Sequence, residues 1–593
     1  MVTKNSKKLS IAYVYDPQFR IEANKQGKNY WYEYIKEINE QLGLCAQEIS
    51  GHSLEDINIL NELSVLFIGN LPISEKAKSN LDTWVRNGGI LLGFGTDCID
   101  DIFGNISDQV IRSENDFAIS GYFFLNPDPL TEGIHSYLHP EQKLIIFSDI
   151  RCVVPEKSKE IARLYATDQI DTGYPAITER KYGEGYTYYF AFDVPHTIWV
   201  LHQGIPITYD RDGDGYYRTG DLIAIGNNER EVLYADEILF LIQNMIAKRP
   251  IPIKHQIPPK NGQVADALFY WGGDDEAAKG TQVWASNWMH EKGLPYHINI
   301  MRNQNGEFTL SEDEVKAIQK NGHECSLHYN FIDNFGNYEF TEEDIKEQVN
   351  AFYSMYHFYP ICTVNHWVRW TGWAETARWM LSAGGKADNS FIHHPLPPLN
   401  PVNRLGFVFG TCFPFYFYDD HLHNNSKIDF LEEPITAYEV GYDSNGKNDF
   451  DTIHKVIDIA VKYHLTMNMF YHPINIYNYE ACRKAIEEVL AYIEKKGINA
   501  VHKGNDGLWE WWVKRSISQI NDAMINENII TFNVRCEHKD GMVVKIPIDC
   551  SDTSIQTIVD ENPATFKICK DFGTYWVYIV IPEGFHNVKI VFS

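Results

Sequence analysis

Phe269-Tyr-Trp-Gly-Gly-Asp274-Asp275-Glu276 is the stretch from which the central fold is read. The apolar run Ala267 to Trp271 suits a strand buried on both faces. Gly272 and Gly273 free the backbone, and two adjacent carboxylates close the strand. Parallel α/β barrels gather their chemistry where the strands end. An isolated Asp-Asp pair can equally be a solvated turn. The histidines further along the chain favour a site.

Outward from this strand, strand and helix signals alternate. A helix at 281–292 leads to a strand at Tyr296–Met301. Ser311-Glu-Asp-Glu314 and Thr341-Glu-Glu-Asp344 are capping boxes that open two more helices. Thr363–Trp367 and Met467–Tyr471 read as strands, a helix covers 479–496, and Ile498–Val501 follows. This rhythm over residues 263–518 predicts an irregular (β/α) barrel.

Three motifs in this region, in order, resemble those of the NodB-homology polysaccharide deacetylases, a carbohydrate esterase class. They are the Asp274-Asp275 pair, Gly322-His-Glu-Cys-Ser-Leu-His328, and Phe470-Tyr-His472-Pro. The resemblance implies Asp274 as the general base and Asp275 as a metal ligand. It also implies His328 as the first metal histidine, His472 as the general acid and Arg369 as the arginine that orients the base. The metal would be Zn²⁺ or another divalent transition ion, since two His and one Asp do not select sharply. The chemistry is coherent: metal lowers the pKa of water and polarises a carbonyl, a carboxylate takes a proton, and an imidazolium gives one to the leaving group.

The family's second metal histidine falls four residues after the first, and position 332 here is Ile. His366, at the end of a later strand, is the preferred replacement. His323 and Asn330 are the other candidates, and a barrel without a competent metal site is the alternative. Trp367, Trp370 and Trp373 could line a sugar pocket. The aromatic run from Arg404 to Tyr418 reads mostly as core, and His393-His394 as the border of a loop.

Residues 1–200 alternate short apolar strands with amphipathic helices, which implies a parallel sheet covered on both faces. The segment Trp84-Val-Arg-Asn-Gly-Gly-Ile-Leu-Leu-Gly-Phe-Gly resembles the class I glutamine-amidotransferase-like fold, of flavodoxin type. That family's cysteine nucleophile has no counterpart in Gly93-Phe-Gly-Thr96, and Cys98 comes too late. The expectation is a non-catalytic binding or assembly module, through which the chain could form an oligomer. A hairpin at 176–192, turning at Tyr182-Gly-Glu-Gly185, extends its sheet.

Residues 201–262 hold a loop, a helix near 230–248 and a proline-rich stretch at 249–262 read as a linker. In the loop, Asp210, Asp212 and Asp214 are spaced as in EF-hand and dockerin loops, followed by Gly215, the carbonyl of Tyr216 and Asp221 at the closing position. This predicts a structural Ca²⁺, against the alternative of an acidic surface turn. Residues 519–593 alternate as strands around Lys539-Asp-Gly541 and predict a small antiparallel β-sandwich.

The chain has 593 residues, 44% of them hydrophobic and 14% aromatic, with a net charge of −28. That charge disfavours nucleic acid and anionic lipid as partners. No apolar run approaches the length of a transmembrane helix. Ten cysteines without a CxxC pair indicate neither a disulfide framework nor a cysteine zinc site. The start has no signal-peptide core, so the protein is expected in the cytoplasm, or outside it if a leader was removed. The expected function is a metal-dependent deacetylase of an acetylated saccharide. The alternatives are a glycan-binding or scaffold protein with an inactive barrel, and a hydrolase of non-sugar amides.

Overall fold

All eight residues of the strand Ala267–Asp274 (β1) are buried. The computed structural model describes residues 6–393, 404–443, 445–549 and 554–592. In it β1 pairs in parallel with His297–Met301 (β2), which pairs with Glu324–Tyr329 (β3). The ladder continues through Cys362–Asn365 (β4), Ala387–Asp388 (β5) and Lys427–Glu432 (β6). The chain runs on from β6 into Ala437–Tyr438 (β7), with Ile435 bridging Ile392 in parallel on the way. β7 pairs with Thr466–Phe470 (β8), and β8 pairs with β1. Among the described residues no pairing joins β6 to β7, so the parallel sheet curls into an open half-barrel and does not close. Ala500–Lys503 (β9) adds to the first half of β1.

The two glycines of β1 are there because other atoms come close. A Cβ on Gly273 would lie 1.9 Å from the carbonyl oxygen of Tyr471, and one on Gly272 would lie 2.5 Å from Asn505 Oδ1. Helices follow the strands as the patterns predict, and both capping boxes form at Ser311 and Thr341.

The N-terminal sheet has nine strands. Gln47–Ile49, Ile11–Val14, Val65–Ile68, Ile90–Phe94 and Gly185–Phe190 are mutually parallel neighbours. Beyond them Asp171–Tyr182, Lys159–Tyr165, Gly121–Leu125 and Leu144–Ile146 run antiparallel. The expected parallel sheet is thus a mixed one, because the hairpin adds its second strand in parallel and folds the rest back. Cys98 is exposed and donates to Asp97, whose carboxylate raises the thiol's pKa and disfavours the thiolate.

Two boundaries differ from the sequence reading. The proline-rich stretch is not an exposed linker: Ile251, Ile253 and Ile257 are buried, and Ile253–Lys254 pairs with the strand Met542–Ile548. The C-terminal sandwich also borrows Lys7–Lys8, which pairs with Gln519–Asn526. It comprises a six-stranded and a four-stranded sheet. The backbone of both borrowed segments finds hydrogen bonds there that a free linker would have to take from water. One apolar cluster runs from Leu9 to Ile590, so the barrel, the N-terminal sheet and the sandwich share a core. Among the described residues no helix is long and apolar enough to cross a membrane.

Candidate metal and acid–base site

β1 delivers Asp274 as its last residue, and the chain then turns sharply. Glu276 and Ala277 both have positive φ, 51° and 50°. That turn swings Glu276 back over the barrel mouth. His328 arrives near the end of β3, and His366 just after β4. These strands are neighbours, so residues far apart in sequence meet.

His328 Nε2 lies 3.1 Å from His366 Nδ1. Glu276 approaches both, with Oε1 3.9 Å from His328 Nε2 and Oε2 3.7 Å from His366 Nδ1. The three form a cluster able to hold a metal ion. A tetrahedral ion with nitrogen ligands at 2.0–2.1 Å would space the two nitrogens by about 3.3 Å. His328 Nδ1 faces the Val364 carbonyl at 3.1 Å, which leaves Nε2 as the free lone pair. Such an outer hydrogen bond is the usual way a metal histidine is held. Burial, with the neighbouring His366, lowers His328 to about 3, so it is neutral, as a ligand must be. Burial lowers His366 as well. Burial works against the charge of Glu276, but His472, His328 and His366 together draw it down to about 2. The donor set therefore fits a divalent transition ion.

Asp274 stands beside this triad, Oδ2 3.6 Å from His328 Nε2. Burial pushes it well above the usual carboxylate range, with His472 pulling the other way. Asn299 Nδ2 donates to Asp274 Oδ1 at 3.2 Å. The amide is set from behind: His297 Nε2 faces Asn299 Oδ1 at 3.0 Å and the Cys362 carbonyl at 3.1 Å. His297 Nδ1 faces Glu324 Oε2 at 3.0 Å. Every partner of this ring is an acceptor, so it donates from both nitrogens. Burial opposes that charge, yet Asp506 and Glu324 raise His297 to about 9.

On the other side, His472 follows β8. Its Nδ1 donates to Glu439 Oε1 at 2.6 Å, and its Nε2 points to Glu276 Oε1 at 3.6 Å. The His472 amide, at 2.7 Å, and Asn475 Nδ2, at 3.0 Å, also donate to Glu439 Oε1. Tyr442 donates to the other oxygen. Despite burial, Tyr438, Glu276 and Glu439 hold the His472 imidazole well above the ordinary histidine range.

The geometry thus gathers His328, His366, Asp274 and His472, and places other expected residues elsewhere. Asp275 does not join the triad. Its Oδ1 accepts from the Ala277 and Met301 amides at 2.9 Å, and its Oδ2 from Gln282 at 3.1 Å. It ties the β1 turn to β2, and Glu276 faces the histidines instead. Arg369 does not reach Asp274. It is fully buried and donates to the carbonyls of Tyr217, Phe331, Gly336 and Tyr338. Asn299 makes the contact expected of it. His323, just before β3 begins, bonds the Ser286 carbonyl. Asn330 closes its own turn with Ile332 and Asp333. Sequence reasoning passed over Glu276, Glu439, Asn299 and His297. Only Glu276 had a local signal, as the third acid of the β1 end.

Of the three tryptophans considered for a pocket, Trp370 and Trp373 are buried and Trp367 is 48% exposed. Trp284 and Tyr477 pack edge to face, and both are exposed. Tyr477 lies on the short helix that begins after His472. His394 and the residues up to 403 lie outside the described residues, whereas the rings from Phe407 to Tyr418 are core, as expected.

No protein-family model and no curated protein matches this chain. Solved structures do align with it. Agd3, described as a novel carbohydrate deacetylase, aligns over 99% of both chains, with 8% identity and a TM-score of 0.42. The β-galactosidase from Rahnella sp. R3 aligns over 31% of this chain, with 12% identity and a TM-score of 0.25. That from Bacillus circulans sp. alkalophilus aligns over 32%, with 15% identity and a TM-score of 0.25. This chain spans 29% of the length of each β-galactosidase. The functional reading rests on the side chains described above.

Proposed function

We propose that this protein is a metal-dependent hydrolase that removes acetyl groups from an acetylated saccharide. The observation that carries the reading is the His328–His366 pair, 3.1 Å apart, closed by Glu276 and flanked by Asp274 and His472. Glu276, His328 and His366 would hold Zn²⁺ or a similar divalent ion. When bound, such an ion supplies carbonyl polarisation and acidified water, and its charge keeps the buried carboxylates ionised.

The chain's own groups do the rest. Asp274, oriented by Asn299, takes the proton of the attacking water. Burial makes it a stronger base than a solvated carboxylate. His472 carries its proton on Nε2 towards the cleft, because Glu439 occupies Nδ1. That proton goes to the departing amine or alcohol as the C–N or C–O bond breaks, leaving acetate. His366 supports an active barrel despite Ile332. Exposed Trp367, Trp284 and Tyr477 offer faces on which sugar rings can stack, which favours a saccharide over other amides. The N-terminal domain, read as glutamine-amidotransferase-like, would serve as a non-catalytic module.

The test is acetate release from a panel of acetylated oligosaccharides and simple amides, alongside metal analysis, for wild type, Glu276→Ala and His472→Ala. Release from saccharides that is lost in both variants supports the proposal. Metal-free protein without release favours a binding protein, and release from amides alone favours the other hydrolase.

A further inference from the structure

We propose that the loop 210–221 binds Ca²⁺ and that the ion clamps the strained turn that aims His366. The proposal stands whether or not the His366 site turns over substrate.

The loop is already folded as an ion-binding loop would be. Asp210 accepts from Gly213 through Oδ1 at 2.7 Å and from Gly215 through Oδ2 at 2.8 Å. Gly215 has φ +93°, the sharp turn that only glycine takes easily. Asp212 is 8% exposed, and its Oδ2 has no hydrogen-bond partner. The carboxylates of Asp214 and Asp221 are its charged neighbours, with Arg218 as the nearby cation. A buried carboxylate oxygen without a donor costs free energy comparable to a lost charged hydrogen bond. A hard cation with six to eight oxygen ligands removes that cost, and the spacing of these acids is the spacing such an ion uses.

The loop also has a specific object. Trp367 and Val368, directly after His366, have φ +55° and +48°. Positive φ is a rare conformation for a β-branched residue, and it persists only where neighbours enforce it. The enforcement comes from the loop. Arg218 Nε donates to the Trp367 carbonyl at 2.8 Å, and its Nη1 reaches Asp214 Oδ2 at 2.6 Å. The Tyr217 carbonyl accepts from the Trp370 amide at 3.2 Å and from Arg369 Nε at 3.0 Å. Arg218 and Arg369 form an antiparallel bridge, and Tyr216 packs edge to face on Trp367. An ion that fixes Asp214 therefore fixes Arg218, and through it the backbone that carries His366.

The test is calorimetric titration of the full chain with CaCl₂, paired with tryptophan fluorescence of wild type and Trp367→Phe. One ion per chain, bound about tenfold or more weakly in Asp212→Asn, is expected from the lost ligand charge. Asp221→Asn serves if the first variant does not fold. A Ca²⁺-dependent fluorescence change that Trp367→Phe abolishes is expected as well. No heat with wild type, or unchanged affinity in the loop variants, overturns the site. Binding with an identical fluorescence response in Trp367→Phe overturns the clamp.

Discussion

His328 Nε2 and His366 Nδ1 face each other at 3.1 Å although 38 residues separate them. Adjacent parallel strands bring them together, with His328 paired to Val364 in the β3–β4 ladder. A second ligand on the same loop, which Ile332 would deny, is therefore not required. His366 directly follows β4, and the positive-φ residues Trp367 and Val368 turn the chain immediately after it.

Asp275 and Glu276 should separate cleanly by mutation. Asp275→Ala removes the acceptor of two backbone amides and of Gln282, so it should cost about 1–3 kcal/mol of stability. Folded Asp275→Ala should retain the wild-type metal content. Glu276→Gln should instead weaken metal binding, and its denaturation midpoint should fall with the loss of the metal and of the charge facing His472. Denaturant titration with metal analysis of both variants checks this.

In the proposed mechanism Asn299 acts through Asp274, to which it donates at 3.2 Å, as a positioning residue. Asn299→Leu should lower kcat by on the order of 10- to 100-fold with KM nearly unchanged, because a misplaced base spoils the reacting geometry. A matching rise in KM would assign Asn299 to substrate binding instead. Steady-state kinetics over a range of substrate concentrations distinguish the two.

How much of this was legible in the sequence depends on the kind of contact. Asp274, His328 and His472 end strands whose periodicity is visible, so their shared face follows from parallel pairing. Asp275 was misassigned because adjacent acids look alike in sequence. Which one turns inward is set by the φ of Glu276 and by the Met301 amide waiting on β2. Arg369 was misassigned for a related reason. Five donors on a buried guanidinium go to whatever carbonyls lie near, and those belong to loops at 217 and 331–338. Glu439 and His297 carry no local signal, because their charged partners, His472 and Glu324, arrive from distant parts of the chain. The sandwich boundaries were hidden by pairing between the ends of the chain.

The acid partner should show in the pH profile. Glu439 helps keep the proton on His472, so Glu439→Gln should move the alkaline limb of kcat to lower pH. His472→Asn should lower kcat by roughly 10²–10⁴-fold, the usual worth of a positioned acid. An alkaline limb that is unmoved in Glu439→Gln would detach Glu439 from that role.

His297 makes a prediction about stability. Its folded value, about 9, lies above its ordinary 6.5. A raised value means the folded chain holds the proton more tightly than the unfolded one. The contribution is therefore complete below pH 6.5 and is lost as the pH rises through about 9. Urea midpoints from pH 6 to 10 should fall for wild type, and His297→Gln should start lower and lack this His297-dependent component of the decline.

The measurement that bears most directly on the proposed site is the transition-metal content of purified wild type and His366→Ala, with acetate release measured on the same samples. The site predicts about one ion per chain in wild type, as three protein ligands would hold, and loss of both metal and acetate release in His366→Ala. Equal metal content in the two proteins, or undiminished release from His366→Ala, would contradict it.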